Sequence, residues 1–206
     1  MKKTIFTLFI LLGTLVNNAQ EETKKGEFGI IMNGKLGFAK LKQSGEVQLN
    51  GNVNAGETQF YYSLPSGTYF TIGVGLLEFN TNGVSDGENF SLEQNYIRIP
   101  LYINKTMPVL KEQLNNKVNA YAGVGIYGNT LLKEEIQTLS QNFELKNQGW
   151  NLGFGLNFGM LFEIYDETSF GIGFESQSDI TKMKKNGVER KLENINTINF
   201  IFRWNF

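Results

Sequence analysis

The chain has 206 residues, with 19 basic and 20 acidic side chains, a formal charge of −1, and neither histidine nor cysteine. The balanced charge gives no electrostatic footprint for nucleic acid. The missing cysteine excludes disulfides, thiolate metal sites and thiol nucleophiles, and the missing histidine excludes Ser–His and Asp–His catalytic arrangements. Glycine (23) and phenylalanine (17) are abundant and proline (3) is scarce, which suits β structure with close backbone approaches rather than a disordered chain.

Residues 1–19 read as a cleaved secretory signal peptide. Lys2 and Lys3 form a positive start, Thr4 to Val16 an apolar stretch, and Asn17-Asn18-Ala19 a cut site before Gln20. The apolar stretch is too short for a comfortable spanning helix, and no cysteine follows it to carry a lipid. Residues 20–26 form a short polar lead-in, and 27–206 form one domain. No later run of eighteen apolar residues predicts a spanning helix.

From Phe28 onward the hydrophobic period is two. Phe28–Lys40 places Phe28, Ile30, Met32, Leu36 and Phe38 on one face. Glu57–Leu64 is a weaker strand. Thr68–Asn80 sets Phe70, Ile72, Val74 and Leu76 against Thr71, Gly73 and Gly75, and Asn95–Lys105 sets Ile97, Ile99, Leu101 and Ile103 against Tyr96, Arg98 and Tyr102. Pro100 falls on the second of those faces and marks a bulge or a broken pairing. Val118–Leu131 alternates the same way. Trp150–Phe162 does so most clearly, with seven large apolar residues opposite Asn151, Gly153, Gly155, Asn157, Gly159, Leu161 and Glu163. Ser169–Asp179 and Asn196–Phe206 complete eight strands.

A face of glycine and asparagine cannot fill a core. The alternation is therefore read as inverted, with apolar side chains toward lipid and small or polar ones toward a narrow lumen. Connections at 65–67 and 164–168 are short, whereas 41–56, 81–94, 132–147 and 180–195 are read as long external loops. The 105–117 connection is of intermediate length, with Pro108 and a helical turn. Aromatic girdles are expected from Phe28, Tyr69, Phe70, Phe162, Phe170, Trp204 and Phe206 at the end bearing the termini. Phe38, Phe79, Trp150 and Phe174 supply the other girdle. The expected fold is all-β: an eight-stranded antiparallel up-and-down transmembrane β-barrel.

The last strand ends Ile198, Phe200, Phe202, Trp204, Phe206 on one face. It resembles the terminal signal read by the outer-membrane barrel-assembly machinery, with Phe202, Trp204 and Phe206 as its carriers. Together with Asn95-Tyr-Ile-Arg-Ile-Pro-Leu-Tyr-Ile103 and Ala120-Tyr-Ala-Gly-Val-Gly-Ile-Tyr-Gly128, these segments give a chain similar to porin-family outer-membrane β-barrel domains over essentially all of its mature length. The resemblance implies a cell outer-membrane location and contact with outer-membrane lipid. It specifies the fold well and the activity poorly.

Gly123-Val-Gly125-Ile-Tyr-Gly128 matches G-x-G-x-x-G, but that fingerprint needs a parallel βαβ unit. The same glycine alternation recurs at Gly73/Gly75, Gly153/Gly155 and Gly171/Gly173, where close approach inside a tight barrel explains every instance. No nucleotide or other cofactor and no metal site is expected. Inward charges are predicted at Lys35, Arg98, Glu163, Glu175 and Arg203. In a narrow barrel they form an ion-pair network that plugs the lumen or line a small selective pore. Glu134 and Glu135 read as a solvated loop face. The favoured reading is a non-enzymatic structural or interaction protein, displaying its loops or serving as a subunit of an outer-membrane complex with a protein partner. A small-solute channel is the alternative, and a lipid- or peptide-modifying enzyme ranks lowest.

Overall fold

A strand with one apolar face is stable only where that face leaves water, and a sheet closed on itself leaves no unpaired edge. The computed structural model describes residues 26–45, 47–85, 87–109, 117–146, 149–185 and 188–206. The predicted leader and nearly all of the lead-in lie outside them, as does the helical turn expected within 110–116. Ten strands occur among the described residues: β1 (Glu27–Gln43), β2 (Leu49–Ser63), β3 (Thr68–Ser85), β4 (Glu88–Pro108), β5 (Val118–Thr138), β6 (Asn142–Lys146), β7 (Trp150–Tyr165), β8 (Thr168–Asp179), β9 (Met183–Lys185) and β10 (Val188–Asn205). Eight form an antiparallel up-and-down ring, closed by the pairing of β1 with β10. The short β6 and β9 hang on β5 and β10.

The register fixes the geometry of closure. Following paired residues from Ala120 on β5 through Met160, Ile172, Phe200, Gly34, Gly56, Leu76 and Ile97 returns to β5 at Thr130. For eight strands that stagger means a tilt of about 40° and an interior filled by side chains. Pro100 pairs with Tyr127 on β5, but the β3–β4 ladder lapses between Ile72–Leu101 and Gly75–Arg98. The missing proline N–H thus breaks one ladder, as expected. The bulge in the β4–β5 pairing lies instead in β5, where Leu132 is the extra residue opposite Asn95 and Tyr96.

The apolar faces point outward. Phe28, Met32, Leu36 and Phe38 on β1, Ile72, Val74 and Leu76 on β3, and all seven apolar residues of the Trp150–Phe162 face are exposed. From Phe28 to Phe38 this belt is about 25 Å tall at the barrel's tilt. The inward glycines are where lumen tyrosines cross. A Cβ on Gly153 would sit 2.1 Å from the Tyr127 ring, and one on Gly155 2.1 Å from the Tyr102 hydroxyl.

The four predicted long loops are mostly β structure. β4 and β5 have 21 residues each, roughly 50 Å of barrel axis, twice the belt. β2 begins at Leu49, β3 runs to Ser85, β5 to Thr138, and β10 starts at Val188. At the ends of two of these hairpins stand left-handed glycines, Gly45 (φ 81°) and Gly87 (φ 83°). In this extension the alternation reverses. Leu77, Phe79, Leu92, Leu131 and Leu192 point in and are buried, while Glu78, Asn80 and Glu93 point out. Lipid demands an apolar exterior and water a polar one, so the strands that run on into the extension change phase where the solvent changes. Phe79, predicted for a girdle, accordingly lies inside the barrel; Tyr69, predicted for the girdle at the short-turn end, lies inside because it has the lumen parity of β3 beside the outward Phe70.

Candidate functional site

The lumen is filled in layers. At the short-turn end a cavity of about 270 Å³ is lined by Glu27, Asn119, Glu163, Arg203 and Asn205, among others. Its Arg203 stacks on the tyrosines of the buried cluster beneath. The Arg203 guanidinium lies 4.2 Å from the Tyr61 ring centre and 5.3 Å from that of Tyr69, and Tyr61 also bonds Asn205. Tyr61, Tyr69, Tyr121, Ile31, Leu161 and Ile201 pack together as a buried cluster.

Beyond that cluster sits a buried charge layer. Lys35 Nζ is 2.7 Å from Glu57 and 2.5 Å from Glu175. Arg98 stacks 4.0 Å from the Tyr127 ring centre and feels the charges of both glutamates. Lys35, Arg98, Glu57 and Glu175 are 3, 1, 4 and 2 % exposed, so two cations balance two anions out of water. Neutral donors complete the carboxylates. Tyr102 donates to Glu175 at 2.6 Å, Asn199 Nδ2 to Glu175 at 3.3 Å, and Gln59 Nε2 to Glu57 at 2.8 Å. Nε and Nη2 of Arg98 have no hydrogen-bond partner among the described residues. The charge balance and the Tyr127 stack therefore hold its guanidinium.

Asp179 forms the next node. It accepts from Tyr127 (3.0 Å), Asn151 (2.5 Å) and the Leu192 backbone N–H (2.7 Å). Beyond it the lumen turns apolar. Ala39, Leu41, Val53, Leu77, Phe79, Leu92, Tyr96, Leu131, Met183, Leu192 and Ile195 form one buried cluster across the barrel. On the far side of this cluster, Arg190 Nη2 meets Glu134 Oε1 at 3.1 Å, both buried, and Tyr96 donates to Gln94 at 2.6 Å.

Of the five predicted lumen charges, Lys35, Arg98 and Glu175 come together. Arg203 lies in the lumen near its mouth, apart from them. Glu163 joins Arg203 in lining the mouth cavity, where it is open to solvent and accepts from Asn119 at 2.9 Å. Four participants were missed. Glu57 shares strand parity with Gln59 and Tyr61, and Asp179 with Glu175, so parity alone places both inward. Glu134 and Arg190 fell in presumed loops; Glu134 is buried, and only Glu135 belongs to the solvated face. Phe202 and Trp204 lie on the outward face of β10, where the Phe202 ring is 5.1 Å from Phe170 and Trp204 is 5.1 Å from Phe206. Among the described residues no cluster of three carboxylates is arranged to hold a metal.

The sequence matches none of the curated proteins compared with it. Among solved structures, the chain resembles Neisserial surface protein A, at 12% identity and a TM-score of 0.53, with 89% of this chain and 100% of that chain covered. The N-terminal β-barrel domain of Pseudomonas aeruginosa OprF is similar at 9% identity and a TM-score of 0.42, over 88% of this chain and 100% of that one. Ail of Yersinia pestis aligns at 11% identity and a TM-score of 0.40, with the same coverage of both chains. The family model described as the outer membrane protein beta-barrel domain matches residues 7–206. This match, over a ring of eight strands with an apolar belt, establishes that the chain belongs to the outer-membrane β-barrel domain family.

Proposed function

We propose that this protein is a closed, non-enzymatic outer-membrane barrel whose work is done by its extended end, as a structural or interaction element facing the cell exterior. One observation carries the reading. Above a charge layer already neutral within itself, the lumen is sealed by the apolar cluster around Val53, Leu77, Phe79 and Leu131. A hydrated ion or solute would have to shed water against that cluster, at prohibitive cost. The extension beyond the belt is hairpin β structure with its own buried core, a rigid platform suited to recognition. Chemistry is disfavoured because the chain has no histidine or cysteine and its buried lumen carboxylates are engaged, Glu57 and Glu175 by Lys35, Glu134 by Arg190 and Asp179 by neutral donors. Planar-bilayer recording of the folded protein tests the closure. Silence is expected, and reproducible conductance steps would overturn it.

Small-solute passage is the second reading. It is favoured by the 270 Å³ mouth cavity lined by Arg203 and Leu161. Export through a leader cleaved near Ala19, and assembly through the Phe202–Trp204–Phe206 terminus, belong to the same proposal. Intact mass of the membrane-extracted protein checks the first. The second is checked by insertion of a Phe206 deletion variant, which should be impaired.

A further inference from the structure

The apolar belt has a gap. On β2 the outward residues above Phe60 and Tyr62 are Thr58, Gly56, Asn54 and Asn52, all exposed. Gly56 pairs with Gly34 on β1, midway along that strand's belt, and a Cβ at either glycine would meet nothing within 4 Å. Two shallow outward clefts, of about 520 and 670 Å³, meet over this pair. Leu36, Leu76 and Phe200 wall one; Met32, Phe200 and Phe202 wall the other. An acyl chain fills a glycine cleft but offers nothing to the hydroxyl of Thr58 or the amide of Asn54. Polar groups facing hydrocarbon are costly unless a partner satisfies them.

The collar just above the belt is charged unevenly to either side of this gap. Lys40 and Lys42 project from β1, beside the Lys191–Glu193 pair on β10. Glu78 on β3 and Glu93 on β4 project on the opposite flank, where they accept from the neutral amides of Asn80 and Asn95. Copies of one chain insert in the same direction, so a two-fold axis relating them must run along the membrane normal. Such an axis through the β2 face sets the β1 flank of each copy against the β3 flank of the other.

We propose that a second copy of this chain docks on the β1–β2–β3 face. Its Gly34–Gly56 floor admits the opposing wall. Lys40 and Lys42 meet the partner's Glu78 and the partner's Glu93, once on each side of the axis. Because an amide both donates and accepts, Asn54 is satisfied by the partner's Asn54. The contact is isologous and closes as a dimer. This inference does not rest on the lumen being sealed.

The chain lacks cysteine, so single introduced thiols report on proximity without background. Asn54→Cys, with Thr58→Cys as a second reporter, is oxidised in native membranes. Leu152→Cys serves as control, since Leu152 is exposed on β7, four strands round the ring. The heat-modified gel shift confirms that each variant is folded. A disulfide-linked dimer is expected from the β2 positions and not from Leu152→Cys. Adding Gly56→Leu should lower the yield about tenfold, as for one lost central contact. Glu78→Lys should lower it too, and Lys40→Glu in the same chain should restore it. Equal yields on both walls overturn the proposal. So does a yield indifferent to Gly56→Leu, or a monomer whose clefts retain bound lipid.

Discussion

Replacing Lys35 by methionine tests whether the lumen layer is dry. Methionine keeps most of the stem and removes the ammonium, so packing changes little. Two carboxylates, at 2.7 and 2.5 Å from Lys35 Nζ in the parent, are then left with Arg98 as their nearby cation. Breaking a buried ion pair by deleting one partner costs about 3–5 kcal/mol, whereas an exposed pair contributes about 0–1 kcal/mol. The burial of all four charges selects the larger figure. Urea unfolding of the barrel refolded into phospholipid vesicles measures the loss. Intrinsic fluorescence follows it through Trp150 and Trp204, which are both exposed on the belt. Equal m-values are required for the comparison. Combining Lys35→Met with Glu57→Gln leaves Arg98 balanced by Glu175, and should recover at least half of the loss. A single-variant loss below about 1 kcal/mol would mean that water screens the layer. That result would refute both the dry ion cluster and the sealed lumen built upon it.

Other expectations follow from particular contacts. Gly153→Ala drives a Cβ into the Tyr127 ring and should cost about 1–3 kcal/mol by overpacking, relieved when Tyr127→Leu is added; the same unfolding assay reads both. Phe79→Ala empties the middle of the apolar cluster and should cost about 3–5 kcal/mol while leaving the belt residues protected from hydrogen exchange. In the β5–β6 hairpin, hydrogen bonds from Lys133, Gln137 and Asn142 hold the Glu135 carboxyl down at about 2. A depressed carboxylate stabilises the fold above its unfolded-state value and loses that contribution as pH falls through the folded one. The hairpin should thus be unchanged from neutral pH to about 5 and loosen progressively toward pH 2; carboxyl chemical shifts of Glu135 check this, and titration near the ordinary carboxylate value would contradict it.

The belt half of the barrel was legible because lipid imposes one rule on it. Trp150 to Phe162 alternates large apolar with small or polar residues, and the structure places those sets outside and inside. The extension was misread because water imposes the opposite rule. Leu49, Gly51, Val53 and Ala55 alternate as regularly as Phe60 and Tyr62, but on the other parity, and a scan for outward apolar faces takes them for loop. The signature of the change is a doubled apolar residue, as at Leu76-Leu77 on β3, where Leu76 serves the belt and Leu77 the extension's core. Within the lumen, parity identified Lys35, Arg98 and Glu175 as inward, yet it could not say which charges share a height. Height depends on the stagger of the ring, a property of eight strands together that no single strand carries. Glu163 and Arg203 show this, since both face the lumen at its mouth, apart from Lys35, Arg98 and Glu175.

The change of phase along the strands that enter the extension also fixes the protein vertically. Sinking by one pair of residues would draw the Lys40 and Glu93 row into hydrocarbon, and rising by one pair would lift Leu36 and Phe38 into water. Either displacement is opposed around most of the circumference at once. A bilayer thicker or thinner than about 25 Å must therefore deform at the barrel wall, since the barrel itself cannot slide or shorten. The protein acts as a fixed gauge of membrane thickness and should partition toward regions that match it.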